Sequence, residues 1–260
     1  MSTPPRLLLT LSAYACEGRF DGRHQPATCY CPTIALGWHP GPGDADRLWD
    51  EYERVLDVAA DAGVTGISLE ASWARLEPRR GRRDDVARVR YAEVITHARR
   101  RGLFVNVAAI DAAWPAWLGL DAWLMPWVLP VAAQYVTWLA SAFEADSLSV
   151  FADREQLTRG YLDDRAGPPW RRDAADAADA RRNLDTLDAM VRASGVTVVT
   201  SAFVELDELP TDAGDVDQVH VRSLVRGTGP LAHTRGLLAR RAGQWVVADE
   251  RAARRLRGED

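Results

Sequence analysis

Three stretches of the chain share one grammar, in which apolar residues at helical spacing lead into a glycine and a short unbroken apolar run begins at once. They read ADAGVTGISLE, RRRGLFVNVAAID and RASGVTVVTSAFVE. Ahead of the first, Leu48, Tyr52, Val55, Leu56 and Ala59 fall on one helical face, and Gly63 offers the left-handed residue that stops a helix. Val86, Val89, Ile95 and Ala98 lead to Gly102 in the second, and Leu184, Leu187 and Val191 lead to Gly195 in the third. A further strand, SLSVFA from Ser147, follows the helix that carries Trp138 without a glycine stop. LLLTLSAYA at Leu7, VDQVHVRSL at Val216 and QWVVAD at Gln244 complete the predicted strands.

Continuous apolar strands separated by helices predict a parallel sheet covered on both faces. At about 250 residues, an α/β chain of this rhythm fits a (β/α)8 TIM-barrel-like fold. The expectation is a single compact domain over residues 1–260, irregular or incomplete at the eighth strand, where RAARRLRGED reads as a short helix or tail. A doubly wound open sheet is the rival, but ACEGRFDG after the first strand is a poor dinucleotide fingerprint. AADAADA at residues 174–180 reads as an ordinary solvated helix face.

Charge narrows the partners. The 32 basic and 37 acidic residues leave a formal net charge of −5, which gives no long-range pull on phosphate backbones or anionic membranes. A small neutral or cationic molecule is the expected partner, with no nucleic acid and no membrane; nothing bears on oligomeric state. All 32 basic residues are arginine, so mechanisms that need a lysine amine, such as Schiff-base or pyridoxal phosphate chemistry and Walker-type phosphate loops, are excluded. The Arg, Ala and Asp excess looks like high-GC bacterial coding. MSTPPRLLLTLSAYACEG makes a poor signal peptide, which predicts a cytoplasmic address. No apolar run approaches the ~20 residues of a membrane span.

In barrels of this kind the site forms at the carboxyl ends of the strands. The residues at those tips are Glu17, Glu70, Asp111, Asp153 with Glu155, Glu205, His220 with Arg222, and Asp249 with Glu250. Any one acid there has a plain alternative as a helix cap or dipole partner. Several acids crowded into one hollow repel unless some stay protonated or pair with arginine, which is how an acid and a base are separated. His220 and Arg222 share a face by period two, where Arg222 pairs with a carboxylate or holds an anionic group.

SAYACEGRFDGR, GVTGISLEASWARLEPRRG, YAEVITHARRRGLFVNVAAIDAAWPAWLG and SVFADREQ together resemble, in order, segments of family 1 glycoside hydrolases. The counterparts there are AYQIEG, an RFSISWPRLFP-like segment, a VTLYHWDLP-like segment and the NEP that carries the acid/base. The likeness covers roughly residues 7 to 170. It implies Glu155 as acid/base, and laying VVADER on the family's ITENG implies Asp249 at the nucleophile's position. Tyr14, Glu17, Gly18, Trp73, Arg75, Pro78 and Pro115 match the pattern, whereas the sugar-gripping Gln, His and Arg fall on Ala15, Asp111 and Ser68. A pocket stripped of those hydroxyl-binding groups rejects an ordinary sugar. Asp in place of Glu also widens the carboxylate gap beyond the about 5–5.5 Å of a retaining pair.

Other constellations point less far. Cys16, His24, Cys29, Cys31 and His39 have the wrong spacing for a standard zinc site, and nothing marks a thiol as activated, so no metal and no cofactor are expected. Trp114, Trp117, Trp123 and Trp127 cluster beyond the third strand, as a pocket cover or as core. The expected function is a non-hydrolytic acid/base enzyme on a glycoside-hydrolase-like barrel, performing cyclisation, dehydration, isomerisation or elimination in a bacterial specialised-metabolite pathway. Its expected catalytic pair is Glu155 and Asp249; Glu17, Glu70, Asp111, Asp153, Glu205, His220, Arg222, Trp73 and Trp114 are its expected substrate-binding residues. The alternatives are a glycosidase of altered glycone preference and a catalytically inactive ligand-binding barrel.

Overall fold

The computed structural model describes residues 8–20, 26–39, 41–45, 47–61 and 65–199, and the backbone of three further strands, 201–205, 218–222 and 235–239. Its strands are β1 (Leu8–Leu11), β2 (Gly66–Glu70), β3 (Phe104–Ile110), β4 (Ser147–Phe151), β5 (Ser201–Glu205), β6 (Gln218–Arg222) and β7 (Arg235–Ala239). They form one seven-stranded sheet in the order β4-β3-β2-β1-β7-β6-β5. Neighbours within β1 to β4 run parallel, as do β5 and β6. A parallel bridge from Ser149 in β4 to Val199, with the Val199 N–H donating to the Leu148 carbonyl at 2.8 Å, joins the β4 edge to the segment that leads into β5.

The α/β class and the parallel β1–β4 core agree with the sequence pattern. Two features differ from it. The last described strand is RGLLA, antiparallel to both β1 and β6, and it was hidden because its apolar run is three residues long and flanked by arginines. QWVVAD, the expected seventh strand, lies outside the described residues, as does Gly63. Among the described residues there are seven strands, so a complete (β/α)8 barrel is not formed by them.

The helices are α1 (Cys31–Ala35), α2 (Leu48–Asp61), α3 (Trp73–Leu76), α4 (Asp85–Arg100), α5 (Val128–Ala142), α6 (Arg154–Leu162) and α7 (Ala174–Ala193). Aspartates start three of them. Asp84, Asp153 and Asp173 accept hydrogen bonds from backbone N–H groups in the first turns of α4, α6 and α7, which meets donors that the helix leaves open. Gly102 and Gly195, at φ of 77° and 85°, follow α4 and α7 as the sequence grammar predicts. No helix among the described residues is long and apolar enough to cross a membrane.

Period-two alternation splits the core. Leu9, Leu11, Ile67, Leu69, Val105 and Val107 are buried in the apolar cluster shared with the helices. The alternate positions carry a polar row the apolar runs concealed: the Asn106 amide donates to Ser68 Oγ at 2.9 Å and Ser149 Oγ at 3.2 Å, and Ser147 Oγ donates to Asn106 Oδ1 at 2.8 Å. Glu70 lies two residues beyond Ser68, on that same face.

Candidate active site

A cavity of about 270 Å³ opens at the carboxyl ends of β1 to β4. Each strand contributes its tip: Ser12, Tyr14 and Ala15 after β1, Glu70 closing β2, Asp111 to Ala113 after β3, and Ala152, Asp153 and Gln156 after β4. Tyr30, His39 and Ala166 complete the wall. The loop after β1 is held there by the loop after β3. Ala116 N–H donates to the Ala27 carbonyl, Cys29 N–H donates to the Trp114 carbonyl (both 2.9 Å), and Thr28 bridges Pro115. That stitching brings Tyr30 and His39 beside Asp111.

One turn of π-helix, Ala13–Glu17, decides two side chains after β1. It turns Tyr14 into the cavity wall and Glu17 back into the core. Glu17, 2% exposed, accepts from Arg75 Nε and from the Tyr91 hydroxyl, both at 2.6 Å. Arg75 also donates to the Gly18 carbonyl at 2.7 Å, and its guanidinium lies 4.3 Å from the Phe20 ring centre and 4.1 Å from that of Trp49. Burial pushes the Glu17 carboxyl up from its ordinary value, and Arg75 and the Tyr91 hydroxyl oppose that push.

Asp111 is buried as deeply, at 4% exposed, and is supplied with none of this. Among the described residues neither of its carboxylate oxygens has a well-formed hydrogen bond. Desolvation holds its carboxyl well above the usual range and the negative charges of Glu70 and Glu17 add to the effect, against the pull of the backbone N–H groups of Asp111 and Ala113. Asp111 thus faces an open hollow in surroundings that favour its acid form over its charged form. Asp153, also buried, accepts the Gln156 N–H at 3.0 Å as the cap of α6 and lines the same hollow.

Aromatic groups form another part of the wall. Tyr14 stacks on Tyr30 with ring centres 4.6 Å apart, and the Tyr14 hydroxyl lies 3.5 Å from His39 Nδ1. His39 Nδ1 accepts the Gly41 N–H at 3.2 Å, and burial lowers the ring's basicity, so the imidazole is neutral. Desolvation likewise raises the Tyr14 phenol above its ordinary value.

Of the residues expected from sequence, Glu70, Asp111 and Asp153 meet at this cavity, and Glu17 sits behind it in the core. Glu155 does not join them: it is exposed on the first turn of α6, because Asp153 ends the strand segment and takes the helix cap two residues earlier. Trp73 and Trp114 are corrected from substrate binding to packing. Trp73 is buried between Tyr135, stacked at 4.5 Å, and Trp117, while Trp114 packs on Trp123 and donates to the Gly119 carbonyl at 2.9 Å. On the far side the backbone register sets Glu205 opposite Arg222 at the ends of β5 and β6, with His220 two residues before. Asp249 and Glu250 lie outside the described residues.

The aromatic positions were harder to see. Tyr14 was legible as a matched residue, but Tyr30 and His39 lie in a loop with no periodic signal and reach the cavity only through the stitching to the β3 loop. Burial pushes the Cys29 thiol well up, which removes it as a nucleophile. Among the described residues no group of three or more His, Cys, Asp or Glu is placed to hold a metal ion.

No known family profile matches the sequence, and no curated protein matches it. Solved structures do match in fold. Aphid myrosinase aligns with a TM-score of 0.69 at 14% identity, over 84% of this chain and 51% of that one. A family 1 β-glucosidase from Thermotoga maritima, solved with isofagomine lactam, aligns at 0.69 and 17%, over 78% and 49%. A β-glycosidase from Pyrococcus horikoshii aligns at 0.63 and 18%, over 81% and 49%. The α/β fold is thus similar to part of the fold of these glycosidases, and the chain spans about half the length of these proteins.

Proposed function

We propose that this chain is a glycosidase-related enzyme that acts on a small molecule by carboxylate acid/base chemistry in the β1–β4 cavity. One observation carries the reading: Glu70, Asp111 and Asp153 line a single hollow, in which burial pushes the Asp111 carboxyl up. Groups with divergent environments divide the work of acid and base. Asp111 is the proton donor of the set. Asp153, which keeps one oxygen on the helix cap, is the acceptor, in the place first expected for Glu155.

Proton transfer between two faces of a bound ring suits cyclisation, dehydration, isomerisation or elimination, and a hollow of about 270 Å³ matches a molecule of one ring. A place in a specialised-metabolite pathway finds no support in the fold. The fold neighbours favour a second reading, hydrolysis of an O-glycosidic bond, with Asp111 or Asp153 protonating the leaving oxygen.

A panel of aryl glycosides and cyclic polyols, followed by mass spectrometry, tests both. Asp111→Asn and Asp153→Asn are each expected to lower turnover by about 10²–10⁴-fold, the usual worth of a positioned acid or base. Glu155→Gln is expected to leave it unchanged. Full activity in Asp111→Asn would remove the assignment, and release of the aryl group would select hydrolysis.

A further inference from the structure

The wall of the cavity is unbalanced in charge. Among the described residues it holds three carboxyl side chains and no arginine, in a chain with 32 basic residues to spend. Its one imidazole, His39, accepts a backbone N–H at Nδ1 and adds no positive charge. Arg75 is engaged elsewhere, on Glu17 and the Gly18 carbonyl between two aromatic rings. Asp111 supplies the second, independent sign: 96% buried and lining the hollow, it has only the backbone N–H groups of Asp111 and Ala113 near its oxygens and no well-formed hydrogen bond or cation among the described residues. Buried polar atoms of this kind are partnered in almost every native protein, and a molecule seated in the hollow can bring the donor that the described side chains do not.

From this we infer that the ligand of the cavity is a small amine, a one-ring molecule whose protonated nitrogen sits on Asp111. The inference rests on the proposed function for the location of the site and not for the reaction. An ammonium offers N–H donors to both carboxylate oxygens and brings the charge that lets a buried carboxylate exist. A hydroxyl offers one donor and no charge. The same complex forms by either route. A free-base amine takes the Asp111 proton, the O–H bond breaking as the N–H bond forms, whereas an ammonium arriving from solution leaves that proton to the buffer. The groups facing Asp111 from neighbouring elements are Glu17 behind β1, Glu70 on β2, Cys29 in the loop after β1 and Tyr135 on α5. Each of these is neutral or acidic, so none of the described groups facing Asp111 supplies the cation.

Titration calorimetry with a matched pair of probes tests this on the whole chain. trans-4-Aminocyclohexanol and trans-cyclohexane-1,4-diol share a ring and differ in one group. The amine is expected to bind about tenfold or more tightly than the diol, the worth of one charge-assisted contact. Its apparent heat should change between phosphate and Tris buffers at pH 7, because binding releases a proton. Asp111→Asn, with its fold checked by circular dichroism, should bring the two affinities together and abolish the buffer dependence. Equal affinities in the wild type, no binding of the amine at millimolar concentration, or amine binding without proton release would each overturn the assignment. Amine preference without turnover of any compound would keep the ligand class and remove the enzyme reading. Glycoside turnover that requires Asp111, without amine preference, would do the reverse.

Discussion

Glu17 and Asp111 are two acids in one half of the molecule, both almost fully out of water, and the chain treats them in opposite ways. Around Glu17 it gathers a guanidinium, a phenol and two aromatic rings; around Asp111 it places other acids and an open cavity. The first arrangement makes a rigid corner under the cavity, fixing the exits of β1 and β2 against α4. The second leaves a chemical demand unmet by the protein. Position along the chain alone ranks the two acids alike, since both stand just past a strand tip. What separates function from support here is whether the fold supplies the partner.

The sharpest way to break that contrast is to remove the Glu17 partner. Arg75→Met leaves a buried carboxylate without its cation and is expected to cost about 3–5 kcal/mol in urea unfolding. Loss below 1 kcal/mol would mean that the corner holds by packing alone. Tyr91→Phe takes away the donor to Glu17 Oε1 and the acceptor of the Ser72 N–H, at an expected cost of about 1–3 kcal/mol by thermal melting. Gly18→Ala strains the same corner, since Gly18 has φ of 75° and a Cβ there would lie 2.4 Å from the Asp44 carbonyl oxygen. Its expected cost is about 1–3 kcal/mol, read from the same melts.

The smallest effect on stability at low pH, and the most diagnostic with rising pH, belongs to Asp111. Its carboxyl titrates higher in the folded protein than in the unfolded chain, so the proton it holds favours the fold below the unfolded value of about 3.9. As pH climbs from there toward the raised folded value, the unfolded chain ionises first and this contribution drains away, by at most about 1.4 kcal/mol per pH unit. Asp111→Asn has no such loss. Its stability relative to the wild type is expected to improve as pH rises from about 4 in parallel urea titrations. A constant difference between the two proteins would show that Asp111 ionises normally.

Much of the β1–β4 half was readable from the chain because its signals are local. Helical spacing and stop glycines mark α4 with β3 and α7 with the strand that follows, and the apolar run of β4 marks itself. The tips of β2, β3 and β4 could therefore be named as cavity residues, and Glu70, Asp111 and Asp153 are found there. Asp153 and Glu155 could not be ranked by spacing, because the choice depends on where the strand ends and the cap begins. The tryptophans misled for a related reason: a cluster past a strand reads the same whether it covers a pocket or, as for Trp73 and Trp114, fills the core. β7 escaped because antiparallel insertion between β1 and β6 is a property of the assembled sheet and leaves no mark in five residues.

In the unliganded protein Asp111 is expected to carry its proton at neutral pH. Infrared difference spectroscopy of the wild type against Asp111→Asn at pH 7 reads this directly. A C=O stretching band of a protonated carboxylic acid, present in the wild type and missing from the variant, is the expected result. A difference spectrum with only ionised carboxylate bands would contradict it.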